Sequence, residues 1–238
     1  MVTIASYSSQ EPVAVVGDIH GRLDLLDRLF VVLGTRRVFV IGDVVDRGPD
    51  SRGVIDRLIQ REAVGVRGNH EEWLLAWLRG EGLDDWAIRP KMGGLATLRS
   101  YGATGVSWSD LESQVWRIPD GHRAFLESLA LVADLEVMGH RYWLVHAGIP
   151  SHVPLKGIPF DRVVPHLAQH HPRELLWASN DPETMLPVDR PVVMGHQPRD
   201  KPMDNGDVIA IDTGAATLER GRLTAVLLPE RRFVTVGP

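Results

Sequence analysis

The 238-residue chain contains no cysteine. Disulfides, thiolate catalysis and zinc–thiolate sites are therefore excluded, and the absence fits a reducing cytosol. No apolar run approaches the roughly 20 residues that cross a membrane. The polar N-terminus also lacks the basic and apolar regions of a signal peptide. We therefore expect a cytoplasmic protein that does not bind membranes.

A basic surplus is missing as well. The formal net charge is −5 and the sequence pI is about 6.0, which argues against nucleic acid as a partner. An acidic enzyme can still bind phosphate if metal ions supply the local positive charge. Hydrophobic residues make up 44% of the chain and charged residues 24%, as in ordinary globular proteins. Without a visible linker or internal repeat, residues 1–238 are predicted to form one domain.

The first third alternates apolar runs with helical patterns. Leucines between residues 22 and 33 recur at helical spacing, and Ser51 is expected to cap a second helix. Continuous apolar strands that alternate with helices indicate a buried parallel sheet. The predicted strands of this sheet are 13–16, 38–41 and 64–66.

The remainder of the chain has a different pattern. Residues 80–134 carry tryptophans and glycines without a strand–helix unit, and are predicted to form a mostly helical insertion or cap beside the sheet. Short connections between later apolar runs suggest a second, antiparallel or mixed sheet. Its predicted strands are 131–137, 141–145, 192–194, 208–211 and 223–228.

Polar side chains follow the three strands of the first sheet. Asp18, Asp43 and Asn69 are 25 and 26 residues apart, about one strand–helix unit each. Because the carboxyl ends of parallel strands open onto one crevice, these side chains are expected to lie side by side. The motifs are GDIHG (17–21), GDVVDRG (42–48) and GNHE (68–71).

Two histidines end later apolar runs, namely His146 in HAG and His196 in GH. A single Gly-Asp turn or strand-end histidine is usually structural, but five such ends in order favour a metal site. Carboxylate, imidazole and amide donors suit manganese, iron or zinc. Two such ions about 3.5–4 Å apart and bridged by one carboxylate form the usual clamp for phosphate chemistry.

The order of these motifs resembles the phosphoprotein phosphatase branch of the calcineurin-like metallophosphoesterases. The GHQP…IDTGA segment (195–215) and GGLATLRSYG (93–102) are similar to the small bacterial and phage members. The resemblance implies an α/β fold, a four-layer α/β/β/α sandwich with two central mixed sheets.

The resemblance also implies the ligands of two divalent ions, manganese in first place and iron or zinc as alternatives. Asp43 would bridge both ions. The remaining ligands would be Asp18 and His20 for the first ion, and Asn69, His146 and His196 for the second.

By the same resemblance, Arg47 would bind a phosphate oxygen of the substrate. His70 would protonate the leaving group, and Asp46 would orient it. Small bacterial relatives usually carry a second phosphate-binding arginine where this chain has Ser179. Arg190 is the nearest substitute, with Arg173 and Arg199 as further candidates.

These features predict a two-metal phosphomonoesterase that attacks phosphate esters with a metal-bound hydroxide. A serine/threonine phosphoprotein is the leading substrate. The alternative is a symmetrical dinucleoside polyphosphate (diadenosine tetraphosphate) hydrolase, for which Trp86, Trp108 and Trp116 could stack on a base or instead belong to the core. A phosphodiesterase is disfavoured because Arg47 suits a terminal phosphate, and a non-catalytic module because the motif set is complete. The oligomeric state, and whether 80–134 is a lid, stay open.

Overall fold

The computed structural model describes residues 3–81, 85–105, 111, 117–179, 181–185 and 187–238. Helices and strands alternate in the first third, as expected, and strands dominate the second half. The strands are β1 (Ile4–Ser9), β2 (Val13–Val16), β3 (Arg37–Val40), β4 (Val64–Gly65), β5 (Val132–Val137), β6 (His140–Val145), β7 (Val192–Met194), β8 (Met203–Asp204), β9 (Val208–Ala210), β10 (Leu223–Leu228) and β11 (Arg232–Val236). The helices are α1 (Leu23–Leu33), α2 (Ser51–Gln60), α3 (Asn69–Leu78), α4 (Asp85–Ile88), α5 (Gly94–Ser100), α6 (Asp120–Ser128), α7 (Val163–His170) and α8 (Glu174–Trp177).

The strands form two mixed sheets. The first has the order β11-β10-β2-β3-β4, with β2, β3 and β4 parallel and β10 antiparallel to β2. The second has the order β1-β5-β6-β7-β9-β8, with an antiparallel β5–β6 pair and parallel β6, β7 and β9. The predicted α/β fold with two central mixed sheets is confirmed.

Alternating side chains of β2 show how the layers pack. Val13 and Val15 lie in the core between the two sheets. Ala14 and Val16 point the other way and join the core formed with α1 and α2. Successive side chains of a strand point to opposite faces, so a continuous apolar run is buried on both. On the far side, α7 and α8 cover the outer face of the second sheet, which completes four layers.

One strand was assigned to the wrong sheet by sequence. Residues 223–228 were expected in the second sheet, but β10 pairs with β2 in the first, with Ala225 opposite Val16. All six of its residues are buried, so the pattern contains no periodicity that could identify a partner. The sequence also missed β1, β8 and β11.

The predicted insertion contains α4, α5 and α6 among its described residues. Phe125 and Leu126 of α6 pack into the core that α1 and α2 form with the first sheet. Leu98, Ala103 and Leu111 form a small separate apolar cluster. The boundaries at 80 and 134, and a lid function, stay predictions. Trp108 and Trp116 lie outside the described residues. None of the described helices combines the length and the apolar character needed to traverse a bilayer.

The helix-to-sheet core predicts a large effect of truncation in α1. Leu29 is fully buried, so Leu29→Ala is expected to lower the free energy of unfolding by about 2–5 kcal/mol, through lost burial and a residual cavity. Urea titration followed by circular dichroism measures it. Val31 on the same helix is 83% exposed, and Val31→Ala is the control, expected to change it by less than about 0.5 kcal/mol. Equal effects of both variants would contradict this packing.

Candidate metal centre

The loops that follow β2, β3 and β4 meet at one edge of the first sheet. The backbone N–H groups of Ile19 and His20 both donate to the carbonyl oxygen of Asp43, at 3.0 and 2.8 Å. Asn69 begins α3 immediately after the third loop. The side chains of Asp18, His20, Asp43 and Asn69 are all buried. The repeated strand–helix unit therefore brings together the residues that sequence spacing placed side by side.

Asp43 lies at the centre of this cluster. Its Oδ2 is 3.5 Å from Nε2 of His20 and 3.8 Å from Nε2 of His70, and its Oδ1 is 3.3 Å from Nε2 of His146. Two groups of metal-type donors share it, one with His20 and His70 and one with His146 and His196. A carboxylate shared by two donor groups has the arrangement of a bridging ligand.

Backbone carbonyls orient two of the histidines. Nδ1 of His20 donates to the carbonyl oxygen of Val45 at 2.8 Å, and Nδ1 of His146 donates to that of Ile41 at 2.9 Å. These bonds direct each Nε2 into the cluster, as in metal sites where a second hydrogen bond fixes the tautomer. Oδ1 of Asn69 lies 3.0 Å from Nε2 of His146.

Asp18 offers an oxygen to the same space. Its Oδ2 accepts from the backbone N–H of His196 at 3.0 Å, whereas its buried Oδ1 has no hydrogen-bond partner among the described residues. Burial and the carboxylate of Asp212 raise the pKa of Asp18 well above its usual value. A buried carboxylate oxygen without a partner is costly unless a cation neutralises it. The donor set therefore fits divalent ions.

The electrostatics of the cluster separate its histidines. Burial disfavours the cationic form of His146, but the Asp43 and Asp18 carboxylates outweigh it and raise its pKa to about 10. Burial and the neighbouring His146 lower the pKa of His196 to about 3. Burial would raise the pKa of Asp43, yet His146 and His70 hold it well below its usual range. Asp43 is thus the fixed negative charge of the site.

His70 and Asp46 form a hydrogen-bonded pair. Nδ1 of His70 lies 2.6 Å from Oδ2 of Asp46, and Nε2 of His70 is buried without a hydrogen-bond partner in the described part of the chain. Burial lowers the pKa of His70, but the Asp43 and Asp46 carboxylates raise it above its usual value. When the ring is protonated, its Nε2–H faces Asp43, whose Oδ2 lies 3.8 Å from Nε2.

Thr97 of α5 holds Asp46 in place, a role that sequence reasoning missed. Its Oγ1 donates to Oδ1 of Asp46 at 2.6 Å, and the backbone N–H of Asp46 points at the same Oγ1, 2.8 Å away. Ser51 also contacts Thr97 and lies 3.1 Å from that N–H. Ser51 does not cap α2, because Asp50 accepts from the N–H of Gly53 instead. The GGLATLRSYG motif was the available signal for Thr97.

Glu71, the last residue of GNHE, links the loop after β3 to the loop after β4. Its fully buried carboxylate accepts hydrogen bonds from the backbone N–H groups of Asp43 and Gly68, each at 2.7 Å, and of Val44 at 2.8 Å. Gly68 is required for the close approach, since a Cβ there would lie 2.0 Å from Oδ1 of Asp43. No role was predicted for Glu71 from the sequence.

Of the four arginines considered as phosphate ligands, one lies at the site and three lie elsewhere. The guanidinium of Arg47 contacts Nε2 of His20. Arg190 precedes β7, whereas His196 follows it, and its guanidinium pairs with Asp134 and Asp189 and stacks over Trp143. The structure therefore does not bring Arg190 to the cluster, because these partners hold it at the other end of the strand.

The other two candidates do not supply the missing arginine either. Arg199 forms an ion pair with Glu183 at 2.6 Å and lies 3.6 Å from Asp181. Arg173 lines a separate cavity together with Arg67 and Glu72.

Tryptophans border the cluster on the side of His196. The ring of Trp177 lies 6.4 Å from that of His196, and the ring of Trp86 lies 5.6 Å from Trp177. Trp86 also stacks on Trp73 and remains 38% exposed. Of the two interpretations left open for Trp86, membership of the apolar core is therefore wrong.

Comparison with known proteins agrees with this geometry. Residues 11–228 match the calcineurin-like phosphoesterase family. The chain belongs to this family. It is therefore a metal-dependent hydrolase of phosphoric esters, as predicted, and the dinuclear metal requirement of the family agrees with the two donor groups that share Asp43.

Three similar proteins set this calcineurin-like phosphoesterase in context. It is 25% identical to the asymmetrical bis(5'-nucleosyl)-tetraphosphatase PrpE of Oceanobacillus iheyensis, over 94% of this chain and 91% of that protein. It is 38% identical to serine/threonine-protein phosphatase 1 of Salmonella typhimurium, but over only 32% of this chain and 40% of that protein. A crystal structure with the provisional name of a diadenosine tetraphosphatase superimposes with a TM-score of 0.66 at 20% identity, over 100% of this chain and 98% of that one. This last likeness shows the fold alone.

The contacts of Glu71 predict that Glu71→Gln disrupts this calcineurin-like phosphoesterase. The amide would turn its NH₂ group toward backbone N–H donors, so we expect the free energy of unfolding to fall by about 1–3 kcal/mol and Mn²⁺ affinity to weaken. Urea titration and calorimetric Mn²⁺ titration measure the two effects. Glu127→Gln, at an exposed ion pair on α6, is the control. Unchanged stability and Mn²⁺ binding in Glu71→Gln would refute the role of Glu71 in linking the two loops.

Proposed function

We propose that the chain is a two-metal phosphohydrolase in which Asp43 would hold both ions. Asp18 and His20 would complete the ligands of one ion, and Asn69, His146 and His196 those of the other. The observation that carries this proposal is that both donor groups share Asp43. The absence of sulfur donors and the mixture of carboxylate, imidazole and amide favour manganese, with iron or zinc as alternatives.

The protein's own residues then have separate tasks in the reaction. The bound ions supply Lewis acidity that activates water and offsets phosphoryl charge. Arg47 binds an oxygen of the phosphoryl group, which its planar guanidinium is suited to do. Water gives up one proton to solvent, its oxygen bonds to phosphorus as the bond to the leaving oxygen breaks, and His70 donates its Nε2 proton to the leaving oxygen. Asp46, held by Thr97, fixes the ring of His70.

His70 is also a member of the donor group that contains His20, so two roles are open to it, metal ligand and proton donor. Nδ1 of His70 is held by Asp46 at 2.6 Å, whereas Nδ1 of His20 and of His146 donate to backbone carbonyls. The carboxylate partner keeps a proton on Nδ1 of His70 and supports the cationic ring when Nε2 also carries a proton, which is what a general acid requires. We therefore assign His70 to proton transfer.

For the substrate, we propose a bis(5'-nucleosyl) polyphosphate ahead of a phosphoprotein. Supporting this order, the match to the named tetraphosphatase runs over almost both full lengths, whereas the match to the protein phosphatase covers about a third of the chain. The sequence motifs favoured the reverse order, with a phosphoprotein first. The relative's name also favours an asymmetrical cut over the symmetrical one suggested by the motifs.

Replacing His70 tests the proton donor. In His70→Asn we expect kcat on phenyl phosphate to fall about 10²–10⁴-fold, the usual contribution of a general acid. The loss should be much smaller on p-nitrophenyl phosphate, whose leaving group needs less protonation. Calorimetry should find Mn²⁺ binding retained. Loss of a bound ion would instead assign His70 as a ligand. An equal loss of kcat on both substrates would contradict its role as proton donor.

Parallel assays decide the substrate class. With Mn²⁺ present, we expect kcat/KM for diadenosine tetraphosphate to exceed that for a phosphoserine peptide by at least about tenfold. Chromatography of the products distinguishes ATP with AMP, the asymmetrical cut, from two ADP. Asp43→Asn, which removes the proposed bridging charge, is the inactive control. A higher kcat/KM for the phosphopeptide would restore the protein phosphatase hypothesis.

A further inference from the structure

A cavity of about 680 Å³ opens beside Arg47. It is lined by α5 and the loop before it, and by the loops after β7 and β9, through Pro198 and Thr217. Cavities of about 300–1,000 Å³ are typical of small-molecule and cofactor sites. The space is therefore large enough for more of a substrate than the phosphate that Arg47 would bind.

The charges of this cavity have one sign. Three cationic side chains line it, those of Arg47, Lys91 and Arg99, and none of its described lining residues is acidic. No described residue forms an ion pair with Lys91 or Arg99, and both are exposed. The chain as a whole carries a net charge of −5, so the positive charge of this cavity is opposite in sign to that of the whole protein. A cleft lined by one sign of charge attracts ligands of the opposite sign.

Backbone contacts hold the loop that carries Lys91 against Arg47. The backbone N–H of Arg47 donates to the carbonyl oxygen of Gly93 at 3.1 Å, and Nε of Arg47 reaches that of Lys91 at 3.4 Å. A Cβ on Gly93 would lie 2.6 Å from the backbone nitrogen of Arg47, so only glycine permits this contact. The wall that carries Lys91 is therefore packed directly against Arg47.

Helix α5 turns Arg99 into the cavity. Leu95, Ala96 and Arg99 line it and share one face, since residues three and four apart are neighbours on a helix. Thr97 is buried and bonded to Asp46, which fixes the rotation of the helix. Arg99 and Arg47 thus border one open space.

We propose that Lys91 and Arg99 bind phosphates of a polyphosphate chain beyond the phosphate held at Arg47 and the metal ions. This inference rests on the proposed phosphohydrolase function and identifies its substrate as a linear polyphosphate of at least three groups. It also accounts for Ser179, since the cations at the site are supplied by the loop before α5 and by α5 itself.

The test compares tripolyphosphate with orthophosphate as probes of the full-length protein. Calorimetry is run with Mn²⁺ in excess over each probe, on Lys91→Ala, Arg99→Ala and the double variant. Each single variant should bind tripolyphosphate about tenfold more weakly, as for loss of one charge-assisted hydrogen bond, and the double variant about 100-fold. Orthophosphate affinity should change by less than about twofold, because its site at Arg47 is intact.

Exposed cations outside the cavity provide matched controls. Lys156→Ala and Arg162→Ala remove the same charges elsewhere on the surface, and both should leave the affinity for tripolyphosphate unchanged. Kinetics add a second readout. In the double variant, KM should rise about 100-fold for diadenosine tetraphosphate and stay constant for p-nitrophenyl phosphate, with kcat retained for both.

Several outcomes would overturn the inference. If the affinities for orthophosphate and tripolyphosphate fell equally, Lys91 and Arg99 would exert only a general electrostatic effect. The same would follow if the control variants lost as much affinity for tripolyphosphate. Unchanged tripolyphosphate binding would remove them from the site. Weakened binding of an acidic phosphopeptide with tripolyphosphate unaffected would assign the cavity to protein substrates. Calorimetry does not require turnover, so a failure of the catalytic proposal would be recognised separately.

Discussion

The buried carboxylate of Glu71 links the parts of the site that come from different strands. Three of its hydrogen bonds come from the loop after β3, through Asp43, Val44 and Val45, and a fourth comes from Gly68, which precedes α3. An ionised carboxylate makes stronger hydrogen bonds than a neutral acceptor, and here water is excluded. Besides this link, Asp43 and the start of α3 are joined by the backbone N–H of His70, which donates to Oδ1 of Asp43 at 3.2 Å, and by the β3–β4 pairing, which is two residues long. The position of Asp43, which both donor groups share, depends on these contacts.

The same loops contain backbone strain. Five of the site residues have positive φ although none is glycine, namely His20, Asp43, Asp46, Arg47 and His196. Each such conformation costs on the order of 1 kcal/mol. Hydrogen bonds to these loops offset the strain, among them those from the N–H of His196 to Asp18 and of Gly48 to the carbonyl of His20. Left-handed turns re-aim consecutive side chains, and here they direct them toward one centre.

Sequence reasoning succeeded where the structure follows from local repetition. Asp18, Asp43 and Asn69 converge because each follows a parallel strand one strand–helix unit after the last, and such ends share an edge. It failed where long-range pairing decides. β10 carries no periodicity and could have joined either sheet, and Arg190 is held by Asp134, 56 residues earlier. Thr97 acquires its role only when α5 docks on the loop after β3, and neither spacing nor composition encodes that contact.

The two faces of α5 have a consequence for how the protein discriminates between ligands. Thr97 on one face anchors Asp46, and through it His70, while Arg99 on the other borders the cavity. With only seven residues, a helix this short gains little stability from its own hydrogen bonds. Its position therefore depends on contacts with the rest of the chain, such as the bond from Thr97 to Asp46. Because Arg99 and Thr97 are on different faces, the choice of ligand in the cavity can change through Arg99 without moving the imidazole that Thr97 positions through Asp46.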